Sequence, residues 1–118
     1  MPEFIPLSVP NFGTKEAQYA AEAITSGWVS TSGAKVGEFE QALARYVGMP
    51  RAVAANNGSS SLHLAALAAG IQPGEEVIVP TLTFIAAVNP LSRCVGAAPV
   101  FIGCDDSLCI VPDGVEEF

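Results

Sequence analysis

The sequence predicts an α/β fold, with a mainly parallel sheet covered by helices on both faces. Two observations carry this. Three short apolar runs, "RAVAAN", "EEVIVP" and "APVFIG", lack the polar alternation of a half-solvated strand. Each pair of runs is separated by a stretch of helical length, the spacing of β-α-β units. The crossovers should be right-handed.

The elements follow in order. Residues 1–13 are Pro-rich and read as extended. Thr14 is the expected N-cap of a helix in "KEAQYAAEAITSG", whose Ala17, Tyr19, Ala20, Ala23 and Ile24 roughly mark one face. Gly27 ends it, and "WVSTSG" is a loop. "KVGEFEQALARYVG" gives a second helix, with Phe39, Leu43, Tyr46 and Val47 on its buried face and Gly48 as its stop. "RAVAAN" is a strand and "SSSLHLAALAAG" a helix of small residues. "EEVIVP" is the next strand. "TFIAAVNPLSRCVG" is a helical stretch that Pro90 bends or restarts, and "APVFIG" is a third strand. The tail from Asp105 to Phe118 begins another element. We divide the chain into an arm with two helices (1–50) and an incomplete β-α-β-α-β half domain (51–118).

Composition bounds the function. The 118 residues carry 12 acidic and 5 basic side chains, a net charge of −7. That balance argues against nucleic acid and anionic membranes as partners. Half the residues are hydrophobic and only 14% are charged, which is the composition of an interior. Much of this surface is therefore expected to be covered in a larger protein or an oligomer. No apolar run approaches membrane-spanning length, and "MPEFIPLSVPNFG" lacks the features of a signal peptide, so a cytoplasmic location is expected. Cys94, Cys104 and Cys109 form no metal-like pair and read as reduced structural thiols. With His63 the single histidine, a histidine-rich metal site is excluded, and no metal is expected.

"NNGSSS", where a strand gives way to a helix, is the chemical focus. A helix N-terminus presents unpaired N–H groups and the positive end of the helix dipole, and phosphate binds there readily. Gly58 permits close approach, while Ser59 and Ser60 add hydroxyls. The alternative is a capped turn in which one serine caps and the others are incidental. The turn matches neither G-x-G-x-x-G nor the P-loop.

"GWVSTSGAKVGEFEQALARYVG", "NNGSSSLHLAALAAGI", "PGEEVIVPTLTFIAAVNPL" and "GAAPVFIGCDD" together resemble successive blocks of the DegT–StrS type sugar aminotransferases, over essentially the whole chain. These are vitamin B6-dependent enzymes of the type I aminotransferase fold. The chain resembles the N-terminal portion of their large domain, a three-layer α/β/α arrangement. "IPLSVPN" and "PTLTFIAAVN" look closest to the branch acting on UDP-linked 4-keto-6-deoxy-N-acetylhexosamines, which supplies surface polysaccharide sugars.

The resemblance implies that Gly58, Ser59 and Ser60 hold the phosphate of pyridoxal 5′-phosphate. It places Phe84 against the pyridine ring, where a stacked aromatic restrains the cofactor; Phe84 taken alone reads as a core aromatic. Asn89 is placed toward the same cavity. Trp28, Ser30 and Thr31 lie in a loop that approaches the sugar in such enzymes, although a lone Trp beside Gly also serves as a loop anchor. His63 reads as a packed helix residue. Gly103 and Val111 stand where relatives tend to have Asp.

Transamination by this cofactor needs a lysine for the Schiff base and a carboxylate against the pyridine nitrogen. The lysines here, Lys15 and Lys35, are not in the family's lysine context. The expectation is a catalytically incomplete N-terminal fragment, from an enzyme moving an amino group from glutamate to a UDP-linked 4-ketosugar as a homodimer. The alternatives are a non-catalytic phosphate-binding or dimerisation module, or a degenerate product without function.

Overall fold

The computed structural model describes residues 4–116. Residues 1–3 and 117–118, on which parts of the expected arm and tail fall, lie outside the described residues. The chain divides into two compact units, residues 1–54 and 55–118.

The first unit holds α1 (Thr14–Ser26) and α2 (Ala34–Val47). Both end at a glycine in the left-handed conformation, Gly27 (φ 75°) and Gly48 (φ 69°), where any other residue would be strained. Thr14 is not the cap of α1. It is the first helical residue and Gly13 is the cap, its N–H donating to Glu16 Oε2 at 2.7 Å. The Glu16 carboxylate accepts from the cap's own N–H, the reverse of the bond that a Thr14 cap would have accepted from the first turn. The expected buried face of α2 is also corrected. Phe39, Leu43, Tyr46 and Val47 are all exposed, Tyr46 to 89%, and Ala44 is the buried residue. The apolar stripe is present, but no described part of the chain covers it.

The run Arg51–Asn56 forms no β-ladder, so the expected first strand is absent among the described residues. The Ala54 N–H donates to Glu40 Oε1 of α2 at 2.8 Å, which removes a backbone donor from any ladder. Val53 is exposed, and the neighbouring alanines offer little surface to pack.

The second unit contains α3 (Gly58–Ala68), β1 (Glu76–Pro80), α4 (Ile85–Asn89), a π-helical turn (Pro90–Val95), β2 (Ala98–Ile102) and a short α5 (Pro112–Glu116). β1 and β2 pair in parallel from Glu76↔Ala98 to Pro80↔Ile102. This is the parallel α/β arrangement the apolar runs predicted, in two strands. The helical stretch changes character where Pro90 sits: without an N–H it cannot continue the α pattern, and wider π-helical turns follow. Gly96 (φ 84°) closes them, its N–H donating to the Leu91 carbonyl. α3 packs on α4 and the π turn, and the π turn on β2. The buried residues of this unit are Ala66, Val79, Val88, Pro90, Val95 and Ala97, all small or medium-sized.

Candidate functional site

Asn57 builds the start of α3. Its backbone is extended, its Oδ1 accepts from Ser60 N at 2.8 Å, and its carbonyl accepts from Ser61 N and Ser61 Oγ, each at 3.1 Å. This is an Asn N-cap, which satisfies one of the amides that every helix start leaves unpaired. The amides of Gly58 and Ser59 have no partner among the described residues. A Cβ placed on Gly58 would meet nothing within 4 Å, so the space over it is open.

The serines divide their work. Ser59 Oγ donates to the Ala86 carbonyl at 3.1 Å, tying the start of α3 to α4. Ser61 Oγ is turned back onto the cap, while the Ser60 hydroxyl has no partner among the described residues. Phe84 is the N-cap of α4, extended at φ −67° and ψ 138°, with its side chain 81% exposed. It is not a core aromatic.

Between α3 and the α4–π segment lies an open cavity of about 350 Å³. Ser59, Ser60 and His63 line one wall, and Ile85, Ala86, Asn89, Pro90, Arg93 and Cys94 the other. The structure thus brings Ser59, Ser60 and Asn89 together. Gly58 and Phe84 are not among the lining residues. His63 is half-buried and forms part of the wall. The sequence reading does not single out Arg93 and takes Cys94 only as a structural thiol, yet a signal for this wall exists. Ile85, Asn89 and Arg93 are spaced by four, as are Ser59 and His63, so each set follows one helix face. Arg93 makes no ion pair among the described residues.

Trp28 and Thr31 belong to the first unit. Trp28 borders a second cavity of about 250 Å³ with Glu22, Ser26, Gly33, Lys35 and Glu38. Lys35 Nζ lies 3.1 Å from Glu22 Oε2 and 3.1 Å from Glu38 Oε2, and 4.3 Å from the centroid of the Tyr19 ring. Hydrogen bonds to these two carboxylates, Glu22 first, hold the Lys35 ammonium above the usual lysine range. Glu22 is held below the usual carboxylate range by hydrogen bonds from Gln18 and then Lys35. No group of three or more His, Cys, Asp or Glu is placed to hold a metal ion among the described residues. No described helix is long and apolar enough to cross a membrane.

The comparisons with known proteins converge. GDP-perosamine synthase of Caulobacter vibrioides is 45% identical over 101 residues, covering 86% of this chain and 27% of that protein. The crystal structure of the aminotransferase from Psychrobacter cryohalolentis matches with a TM-score of 0.82 and 32% identity, over 95% of this chain and 29% of that one. NtdA from Bacillus subtilis, solved with bound cofactor PMP, matches with a TM-score of 0.77 and 29% identity, over 89% of this chain and 25% of that one. The chain thus spans between a quarter and three tenths of the length of these relatives. Residues 10–118 match the DegT/DnrJ/EryC1/StrS aminotransferase family, and the chain belongs to that family.

Proposed function

We propose that this chain supplies the phosphate cradle and ring-stacking face of a pyridoxal-phosphate site in a nucleotide-sugar aminotransferase. One observation carries the reading: at the start of α3 the Gly58 and Ser59 amides and the Ser60 hydroxyl are unpartnered, with open space over Gly58. That donor set fits a phosphate, since each group donates and the helix dipole adds positive potential. The bound cofactor of NtdA supports the choice of ligand. When bound, the cofactor supplies an electron-withdrawing ring for amino transfer. Phe84, exposed at the start of α4, offers a flat apolar face for that ring, and Asn89 offers an amide to the cavity.

These residues bind and orient; none of them performs the chemistry. Lys35 is unsuited to act as the amine nucleophile, because two carboxylates keep it charged. By itself the stretch therefore acts as a binding module. We place the substrate among nucleotide-linked 4-ketosugars, with glutamate as amino donor, and with Trp28 and Thr31 contacting the sugar nucleotide. "IPLSVPN" and "PTLTFIAAVN" favour UDP as the carrier, whereas the name GDP-perosamine synthase supports the wider nucleotide-sugar class. The exposed apolar side chains support a homodimeric or larger assembly.

Calorimetric titration of the chain with pyridoxamine 5′-phosphate and with pyridoxamine tests the cradle. Saturable binding that requires the phosphate is expected. Ser60→Ala should weaken it by about 1–2 kcal/mol, the cost of a charge-assisted hydrogen bond, whereas Ser59→Ala, whose lost hydroxyl is the one held by the Ala86 carbonyl, should cost less. Equal affinity for the two ligands, or none for either, overturns the assignment.

A further inference from the structure

The loop between α1 and α2 carries Trp28, and its geometry is fixed from two sides. On the α1 side, Ser26 Oγ donates to the Ala23 carbonyl at 2.9 Å and accepts from Trp28 N at 3.3 Å. Gly27 then turns the chain through its left-handed conformation. On the α2 side, Gly33 lies against Trp28. A Cβ on Gly33 would sit 3.3 Å from both Trp28 Cβ and the Trp28 carbonyl oxygen.

These contacts shape the loop but do not join the helices it connects. α1 and α2 are not among the elements that pack closely on one another, and α1 buries no residue. Among the described residues, a single ion pair crosses from one helix to the other: Lys35 of α2 to Glu22 of α1. The same ammonium lies over the Tyr19 ring of α1 and is held from its own helix by Glu38. It therefore contacts three side chains at once, two on α1 and one on α2. A lone exposed ion pair is worth little, but a shared cation in a small network fixes geometry better.

We propose that Lys35 is the positioning residue of the Trp28 loop, acting as a three-way clamp that sets the angle at which the indole is presented. The importance of that angle for substrate rests on the sugar-contacting role proposed above; the clamp itself does not. Replacing the ammonium by an apolar chain of similar length leaves Glu22 and Glu38 without their shared cation. The two helix ends then separate, and the indole gains solvent and freedom.

Trp28 is the single tryptophan, so the intact chain reports on its own loop. Acrylamide quenching and steady-state anisotropy of Trp28 should be measured in the parent, Lys35→Met, Lys35→Arg and Glu22→Ala chains, with far-ultraviolet circular dichroism as the check on folding. Lys35→Met is expected to raise the quenching constant about twofold and lower the anisotropy at unchanged helix content. Lys35→Arg, which keeps the cation, should stay near the parent values. If Lys35→Met loses helix content, Glu22→Ala decides, because it removes the cross-helix ion pair and leaves Lys35–Glu38 in place. Helical chains with unchanged quenching overturn the clamp. A separate titration with UDP and GDP, followed by Trp28 emission, addresses the substrate role. Absence of any change there counts against that role, while the clamp stands or falls on quenching alone.

Discussion

Asn57 meets two demands of a helix start with one residue: its side chain accepts from Ser60 N, and its carbonyl accepts from both donors of Ser61. Asn57→Ala should therefore cost about 1 kcal/mol of stability, the usual loss for an N-cap, read as a lower urea midpoint at unchanged slope. The capping alternative for "NNGSSS" assigns the cap to a serine, whereas the cap is Asn57. Asn57 and Ser61 do form a cap, yet Gly58, Ser59 and Ser60 retain donors that the cap does not use. Residue types told us that donors gather here. They could not tell which hydroxyl would be spent, because Ser59 donates to Ala86, a partner distant in sequence that only the packing of α3 on α4 defines.

At the scale of elements, stop signals were the most legible features. Gly27, Gly48 and Pro90 act where their backbone chemistry requires, since local sterics decide those positions. Gly96 belongs with them. Its φ of 84° is strained for any side chain, and an added Cβ would sit 3.3 Å from Pro73 Cβ, a tight contact that Pro73 would have to relieve. Gly96→Ala should destabilise the second unit by about 1 kcal/mol or more, seen as a lower thermal midpoint. The strand expected at Arg51–Asn56 was less legible, because a strand exists only through its partner and Ala54 N found Glu40 instead. The α1–α2 clamp has a pH signature whose sign follows from its two shifts. Glu22 titrates lower when folded, so its contribution is present above the ordinary glutamate value of about 4.3 and is lost as pH falls through its depressed value. Lys35 titrates higher, so its contribution is complete below the ordinary lysine value of about 10.4 and is lost as pH rises through its elevated value. Trp28 quenching should accordingly stay flat between about pH 5 and pH 10 and rise outside that window.

Across the whole molecule, the interior is built from small residues, and no large side chain is fully buried among the described residues. Phe12, Phe39, Tyr46, Leu64, Leu67 and Phe101 all remain open to solvent. Surface of this kind favours association. Sedimentation of the purified chain should show self-association rising with concentration, accompanied by binding of a hydrophobic dye that falls as the chains associate. The sequence announced this excess of apolar residues through its low charge fraction. It could not say which faces would stay uncovered, because periodicity marks an apolar stripe without naming what packs on it, as the outer face of α2 illustrates.

The parallel register of β1 with β2 has a kinetic consequence. No rung of that ladder joins neighbours in sequence, since each spans α4 and the π turn. Zipping cannot start from a tight hairpin, so nucleation falls to the intervening helical crossover, and the two strands close only after it has formed.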